Sequence, residues 1–305
     1  MSFLVALPRK SYPDGAIDGF DATGGLSIDS ARAMMWLAQL AYDTPERTKV
    51  EDVLRAWQMP LQAFVSNDPA TGLPLRSACV IVASGRGATV VAFAGTDPLK
   101  ISDWITDFTP RLSAGNLHTG FGEALETVWP RIRDALARPG ALFFTGHSLG
   151  GALAIIAAER AKRELNVQAT GVYTYGSPRP GGAAFFDAYG EDLANVTFRF
   201  VNGTDLVATV PPPLLSFRHV GRAIQCPTDG KFDLQAQMLS IKDDKPGFIE
   251  SAFASGVADV ITLAGFRLIR PVGQRLLGRL AGFLPRMVRD HIPENYFRRF
   301  SITLD

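Results

Sequence analysis

The sequence predicts an α/β fold: one largely parallel central sheet with helices on both faces. Three observations predict it. From Phe121 onward the chain alternates helix and strand, which is how parallel strands joined by crossover helices read. Ala141 to Phe144 shows no polar alternation, as a strand buried on both faces requires. The 305 residues contain no internal repeat and no low-complexity linker, so a single domain over 1–305 is the economical organisation.

In chain order, Ser27 to Leu40 is expected to be helical, with Asp29 or Ser30 as the cap and Met34, Met35, Leu37, Ala38 and Ala41 as the apolar stripe. A shorter helix follows over Lys49 to Trp57. Ala63 to Val65, Ala78 to Ala83 and Thr89 to Phe93 are short β-branched runs, the last two joined through Gly85-Arg86-Gly87 as a hairpin. After a helix from Phe121 come a strand (Ala141 to Phe144), a helix (Ala152 to Glu164) and a strand (Ala169 to Tyr175). A helix near Phe185 and a strand (Val196 to Val201) complete the alternation.

Composition excludes several classes. Hydrophobic residues at 47% and charged residues at 20% are those of a globular protein, not a disordered or collagen-like one. With 31 basic against 30 acidic residues the net charge is +1, so no global field points to nucleic acid. Two cysteines, Cys79 and Cys226, match no metal spacing, and no metal or organic cofactor is implied. Phe3 to Leu7 is too short for a secretory core, and Ala252 to Phe266 contains Asp259 and falls short of the roughly 20 residues of a bilayer span. The expectation is a cytoplasmic or peripheral membrane protein, with export by another route left open.

Gly146-His147-Ser148-Leu149-Gly150 fits G-x-S-x-G. It follows a buried strand and opens an alanine-rich helix, the strand-turn-helix of a nucleophile elbow, whose turn admits only glycine on either side of the serine. A serine hydroxyl is a weak nucleophile near neutral pH and needs a base oriented by an acid. On α/β-hydrolase sheets the chain order is Ser, then Asp or Glu, then His. Asp205, just past the strand Val196 to Val201, suits the acid, and His219 and His291 both remain as bases. The backbone N–H of Leu149 is an oxyanion donor by its place after the serine.

These residues sit among others that resemble one family, the class 3 or fungal-type triacylglycerol lipases of the α/β-hydrolase fold. The matching pieces are Ala92 to Thr96, Ile101 to Phe108, His118 to Phe121, Thr145 to Gly151, Tyr175 to Gly181, Asn202 to Pro212, and Asp290-His291 with Tyr296 and Phe297. Ala94 departs from the arginine often found there, and the stretch between Asp205 and His291 looks expanded. The resemblance implies Ser148 as nucleophile, Asp205 as acid, His291 rather than His219 as base, and Thr96 as second oxyanion donor. It implies a lipase cleaving acylglycerols or similar water-insoluble esters through an acyl-enzyme. Phospholipase A1, short-chain or feruloyl-type carboxylesterases, and a hydrolase-fold interaction protein that has lost catalysis are the alternatives.

Ile101, Trp104, Ile105 and Phe108 share one face of a short helix, a candidate lid over about 97–109. A helical insertion is expected over about 230–289. Six of the 31 basic residues lie between Arg267 and Arg289 with no acid among them, so the rest, 25 basic against 30 acidic, carries −5. On a helical wheel Arg275, Arg279, Arg286 and Arg289 fall within about 80° of one another, opposite Leu and Phe. That pattern suits peripheral contact with an anionic lipid surface, or equally a helix packed on the protein with solvated arginines.

Overall fold

The computed structural model describes residues 6–66, 78–96, 111–137, 140–234 and 286–304. Helices α1 (Ile28–Leu40) and α2 (Arg47–Ala56) precede strands β1 (Leu61–Val65), β2 (Val80–Gly85) and β3 (Ala88–Phe93). Then α3 (Thr119–Leu136), β4 (Ala141–His147), α4 (Leu149–Leu165), β5 (Gly171–Tyr175), α5 (Ala183–Asn195) and β6 (Thr197–Asn202) alternate. β7 (Arg222–Cys226), α6 (Arg286–His291) and α7 (Pro293–Arg299) follow. No described helix is long and apolar enough to cross a membrane.

The seven strands lie side by side in chain order. β1, β2 and β3 pair antiparallel, and β3 through β7 are parallel, so the sheet is mixed and mostly parallel. The hairpin between β2 and β3 turns on Arg86 and Gly87, both at positive φ (50° and 80°), the type I′ requirement. Arg86 is braced there by Nε–H to the Trp57 carbonyl at 2.8 Å and an ion pair with Asp18.

Sequential strand order decides the layers. Right-handed crossovers between β3, β4, β5 and β6 put α3, α4 and α5 on one face. There Phe121, Leu125, Trp129, Leu153, Ile156, Phe185 and Leu193 pack on Phe93, Leu142, Phe144 and Val172. The opposite face receives no crossover helix. It is covered by α1, α2 and α7, with Met34, Trp36, Leu37, Trp57, Tyr296 and Phe297 against Phe143, Tyr173, Tyr175 and Phe200. Tyr175 and Tyr173 reach through that layer to the backbone carbonyls of Ala31 and Gly25.

Two expectations for α1 need correction. Its cap is Ser27, with extended backbone and Oγ accepting from the Ser30 N–H at 3.0 Å; Asp29 lies inside the first turn and pairs with Arg32. A single apolar stripe is also wrong, because Ala31 through Leu40 is buried almost all round except Arg32. The sheet lies beneath α1 and α7 beside it, where the Trp36 and Phe297 rings stand 4.4 Å apart. The edge strand β7 was not foreseen. The hairpin, β4, β5, β6 and the helices between them lie where the pattern put them, with β4 running on to His147 and α4 starting already at Leu149.

Candidate active site

The parallel register brings the carboxyl ends of four strands, β3 to β6, level: Phe93 pairs with Gly146, His147 with Tyr175, and Tyr175 with Phe200. The chain leaves each end in a different direction, and a site assembles where they part. At the end of β4 the backbone reverses through Ser148, which has φ 58° and ψ −131°. A non-glycine residue at such angles is strained. The turn is held by the Ser148 N–H to the Tyr175 carbonyl at 2.8 Å. A Cβ on Gly146 would stand 2.2 Å from Gly150 backbone atoms, and one on Gly150 would stand 2.3 Å from the Phe93 carbonyl oxygen. Both glycines are therefore required by close backbone approach, as the elbow reading expects.

Leu149 is the first residue of α4, so its N–H is among the helix amides with no intrahelical acceptor. Across from it, Gly95 presses on the elbow: a Cβ there would lie 2.9 Å from the Ser148 Cβ and 2.6 Å from the His147 carbonyl oxygen. The next residue, Thr96, is buried, and its Oγ1 has no hydrogen-bond partner among the described residues.

Asp205 and His291 meet although 86 residues separate them. Both Asp205 carboxylate oxygens are 2.9 Å from His291 Nδ1, and both side chains are almost wholly buried. A carboxylate only accepts, so Nδ1 carries a proton, and in the neutral ring Nε2 presents a lone pair. That Nε2 is buried with no hydrogen-bond partner among the described residues. Asp205 also accepts from the Val207 N–H at 2.9 Å and the Tyr296 hydroxyl at 2.6 Å. Burial first, then the Asp205 charge, push the Tyr296 phenol well above its ordinary range, so it stays a donor.

The loop bearing Asp205 is tied to the helix bearing His291. Asp290 Oδ2 accepts from the N–H and hydroxyl of Thr204, and the Asp290 carbonyl accepts from Asn202 Nδ2. Gly203, at φ 51°, lies so close that a Cβ would meet Asp290 Oδ2 at 2.4 Å. Gly176, at φ 59°, floors the acid–base pair in the same way, 2.4 Å from Asp205 Oδ2.

His219 stands apart from this cluster. Its Nε2–H donates to the Ala208 carbonyl at 2.8 Å, and burial together with Arg199 and Arg179 lowers its proton affinity well below that of an ordinary histidine. Ile101, Trp104, Ile105, Phe108, Arg275 and Arg279 lie outside the described residues. Arg286 opens α6 half-exposed and pairs with Asp229 at 3.1 Å. Cys79 and Cys226 are not joined by a disulfide, and burial pushes the Cys226 thiol up to about 11. Sequence reasoning gave no role to Tyr296, Asp290, His147 or Tyr42. Tyr296, Asp290 and His147 lie inside the motifs that resemble the family, whereas nothing in the sequence marks Tyr42.

The chain also resembles known proteins. Residues 90–215 match the family model described as lipase (class 3). A secreted mono- and diacylglycerol lipase 1 of Fusarium solani is 36% identical over 154 residues, 47% of this chain and 45% of that protein. A lipase of Rhizomucor miehei is 26% identical over 243 residues, 71% of this chain and 65% of that protein. The chain thus spans between about half and two thirds of these relatives' lengths. The crystal structure of a lipase from Rhizopus microsporus var. chinensis superposes with a TM-score of 0.56 at 18% identity, covering 73% of this chain and 85% of that one, which speaks to fold alone. Through its residues 90–215, carried on this α/β sheet, the chain is similar to the class 3 lipases, the fungal ones among them.

Proposed function

We propose that the protein is a serine ester hydrolase, a lipase, that cleaves the carboxylic esters of acylglycerols or similar lipids through an acyl-enzyme. The observation that carries the reading is the buried Asp205–His291 pair, whose Nε2 has no hydrogen-bond partner among the described residues, at the strand ends that also present Ser148. Ser148 Oγ bonds to the ester carbonyl carbon as its proton passes to His291 Nε2. The carbonyl oxygen takes up the negative charge and is met by the Leu149 N–H and by Thr96. The bond to the alcohol oxygen then breaks, and that oxygen leaves with the proton from Nε2. Water adds to the acyl carbon through the same nitrogen, releasing the carboxylic acid and restoring the Ser148 hydroxyl. Asp205 holds the Nδ1 proton throughout, and Tyr296 and the Val207 N–H hold Asp205.

The same reading gives 97–109 the role of a lid over an apolar site, and 230–289 that of an inserted helical segment in one 1–305 domain. It leaves Arg275, Arg279 and Arg286 as contacts with an anionic lipid surface. An exposed ion pair such as Arg286–Asp229 contributes at most about 1 kcal/mol, so it does not stand in the way. A fluorophosphonate probe should label the wild type at Ser148 and leave folded Ser148→Ala unlabelled. Turnover across esters from acetate to palmitate, with a phospholipid included, then ranks the substrates. Folded wild type that resists the probe overturns the proposal.

A further inference from the structure

His147, the residue just before Ser148 in the elbow, has a fully buried ring that the reaction above does not use. Strand alternation turns it away from the α4 face toward α1, α6 and α7. Its Nε2 is 2.8 Å from the main-chain carbonyl of His291, and its Nδ1 is 2.7 Å from the Tyr42 hydroxyl. A carbonyl oxygen can only accept, so Nε2 carries the hydrogen. Burial and the nearby His291 ring hold the imidazole neutral, so Nδ1 is bare and accepts from Tyr42. The two hydrogen bonds therefore leave one tautomer. The His147 ring also lies against the His291 ring, centroids 4.6 Å apart and planes at 33°, while Tyr296 meets it edge-on at 5.7 Å. The groups facing it are thus Tyr42 from the turn after α1, His291 from α6 and Tyr296 from α7.

We infer that His147 is a positioning residue: locked by Tyr42 as the Nε2–H tautomer, it clamps the backbone and ring of His291 to the strand end that presents Ser148. His291 stands on the short helix α6, at the junction with α7, with Asp205 gripping one edge of its ring. Asp205 alone leaves the ring free to rock about the line to Nδ1. The carbonyl bond and the tilted ring contact remove that freedom, so Nε2 keeps its aim while it takes and returns a proton. Neutrality of His147 matters as well, since a second cation at 4.6 Å would oppose the charge that His291 gains in each turnover. Tyr42 closes the arrangement from the other side. Its hydroxyl would be 2.4 Å from a Cβ on Gly95, so the group that sets the tautomer also abuts the loop leading to Thr96.

This inference rests on the assignment of Ser148, His291 and Asp205 made above, and the test keeps the two apart. Wild type, His147→Leu, His147→Gln and Tyr42→Phe are compared by fluorophosphonate labelling rate, by kcat and KM on a soluble butyrate ester, and by the pH profile of kcat/KM. Circular dichroism and melting establish folding. His147→Leu should lose about 100-fold in kcat and in labelling rate with KM within twofold. Its acid limb should move to lower pH, because an apolar neighbour disfavours the charged base. His147→Gln, whose amide can donate to the His291 carbonyl, should recover at least tenfold of that loss and restore the limb. Tyr42→Phe should lose about tenfold in kcat at unchanged KM. Should His147→Leu fail to fold, the Gln and Tyr42→Phe proteins carry the test. A labelled wild type with all folded variants within twofold of it in kcat overturns the positioning role, as does a His147→Gln as damaged as His147→Leu. An unlabelled wild type instead overturns the assignment of Ser148 beneath it.

Discussion

Tyr296→Phe removes one oxygen atom and leaves the ring volume unchanged, so its effect is read in hydrogen bonds rather than in a cavity. Two bonds are lost. The Tyr296 hydroxyl donates to Asp205 Oδ2 at 2.6 Å, a bond to a buried carboxylate worth about 1.5–3 kcal/mol. The same oxygen accepts from the buried Asn202 N–H at 3.1 Å, and an orphaned N–H costs about 1–3 kcal/mol. Because the two share one oxygen they are not fully additive, and a destabilisation of about 3–4 kcal/mol is expected. At roughly 2–3 °C per kcal/mol for a chain of this size, Tm should fall by about 6–12 °C. Asp205 retains His291 Nδ1 and the Val207 N–H, so kcat should fall by about tenfold and KM should hold. Differential scanning calorimetry and a soluble-ester assay measure both. Tyr189→Phe serves as the comparison, because its hydroxyl hydrogen-bonds to the neutral Thr197 hydroxyl, at 2.7 Å, and to no charged group among the described residues, and its loss should cost about 1 kcal/mol. If Tyr296→Phe melts no lower than Tyr189→Phe, the argument that the acid is held by this phenol is wrong.

Other outcomes follow from the same geometry. His147 and His219 are both held below the ordinary histidine value of 6.5, so the unfolded chain binds protons that the folded chain refuses. Stability from this source is complete above about pH 6.5 and is lost as pH falls, at about 1.4 kcal/mol per pH unit per site. Urea midpoints at pH 6 and pH 5 should show a slope shallower by about that amount in His219→Gln; equal slopes count against it. Gly146→Ala should abolish folding or lower Tm by more than 10 °C, since its Cβ has nowhere to go. Gly122→Ala, in α3 with nothing within 4 Å, should raise stability by about 1 kcal/mol, and a thermal melt of each decides. Ser27→Ala should cost about 1 kcal/mol by loss of the α1 cap, read from the urea midpoint.

What the sequence disclosed were the parts whose physics is local. An elbow needs glycines two positions either side of a serine, and the strand before it needs an unbroken apolar run, so both stood in plain view at Ala141 to Gly150. Asp205 was legible because it stands just past a strand end. Which histidine reaches it was not, because His219 and His291 both follow it in the chain, and only a resemblance separated them. The structure separates them by partner, a carboxylate for one and a carbonyl for the other. The burial of α1 all round escaped because its covering helix lies far along the chain, with Arg32 donating to the Phe300 carbonyl across 268 positions. β7 escaped because only Ile224 and Cys226 of its five residues are buried, too short an alternation to register. The Tyr42–His147 bond spans 105 positions and carries no periodic signature at all.

The dependence of one sheet face on α1 and α7 has a consequence for how the protein comes into being. A chain emerging from a ribosome at about 5–20 residues per second leaves some tens of seconds between α1 and the residues that lie against it. Through that interval β3 to β6 can form with their crossover helices, while Trp36, Tyr175 and Phe200 lack the cover that Tyr296, Phe297 and Phe300 later provide. The half-made molecule is sticky on that side and still lacks His291, the base of the proposed reaction. One short helical pair thus ends both conditions together, so that a nascent chain gains its proposed base only as that sheet face is sealed.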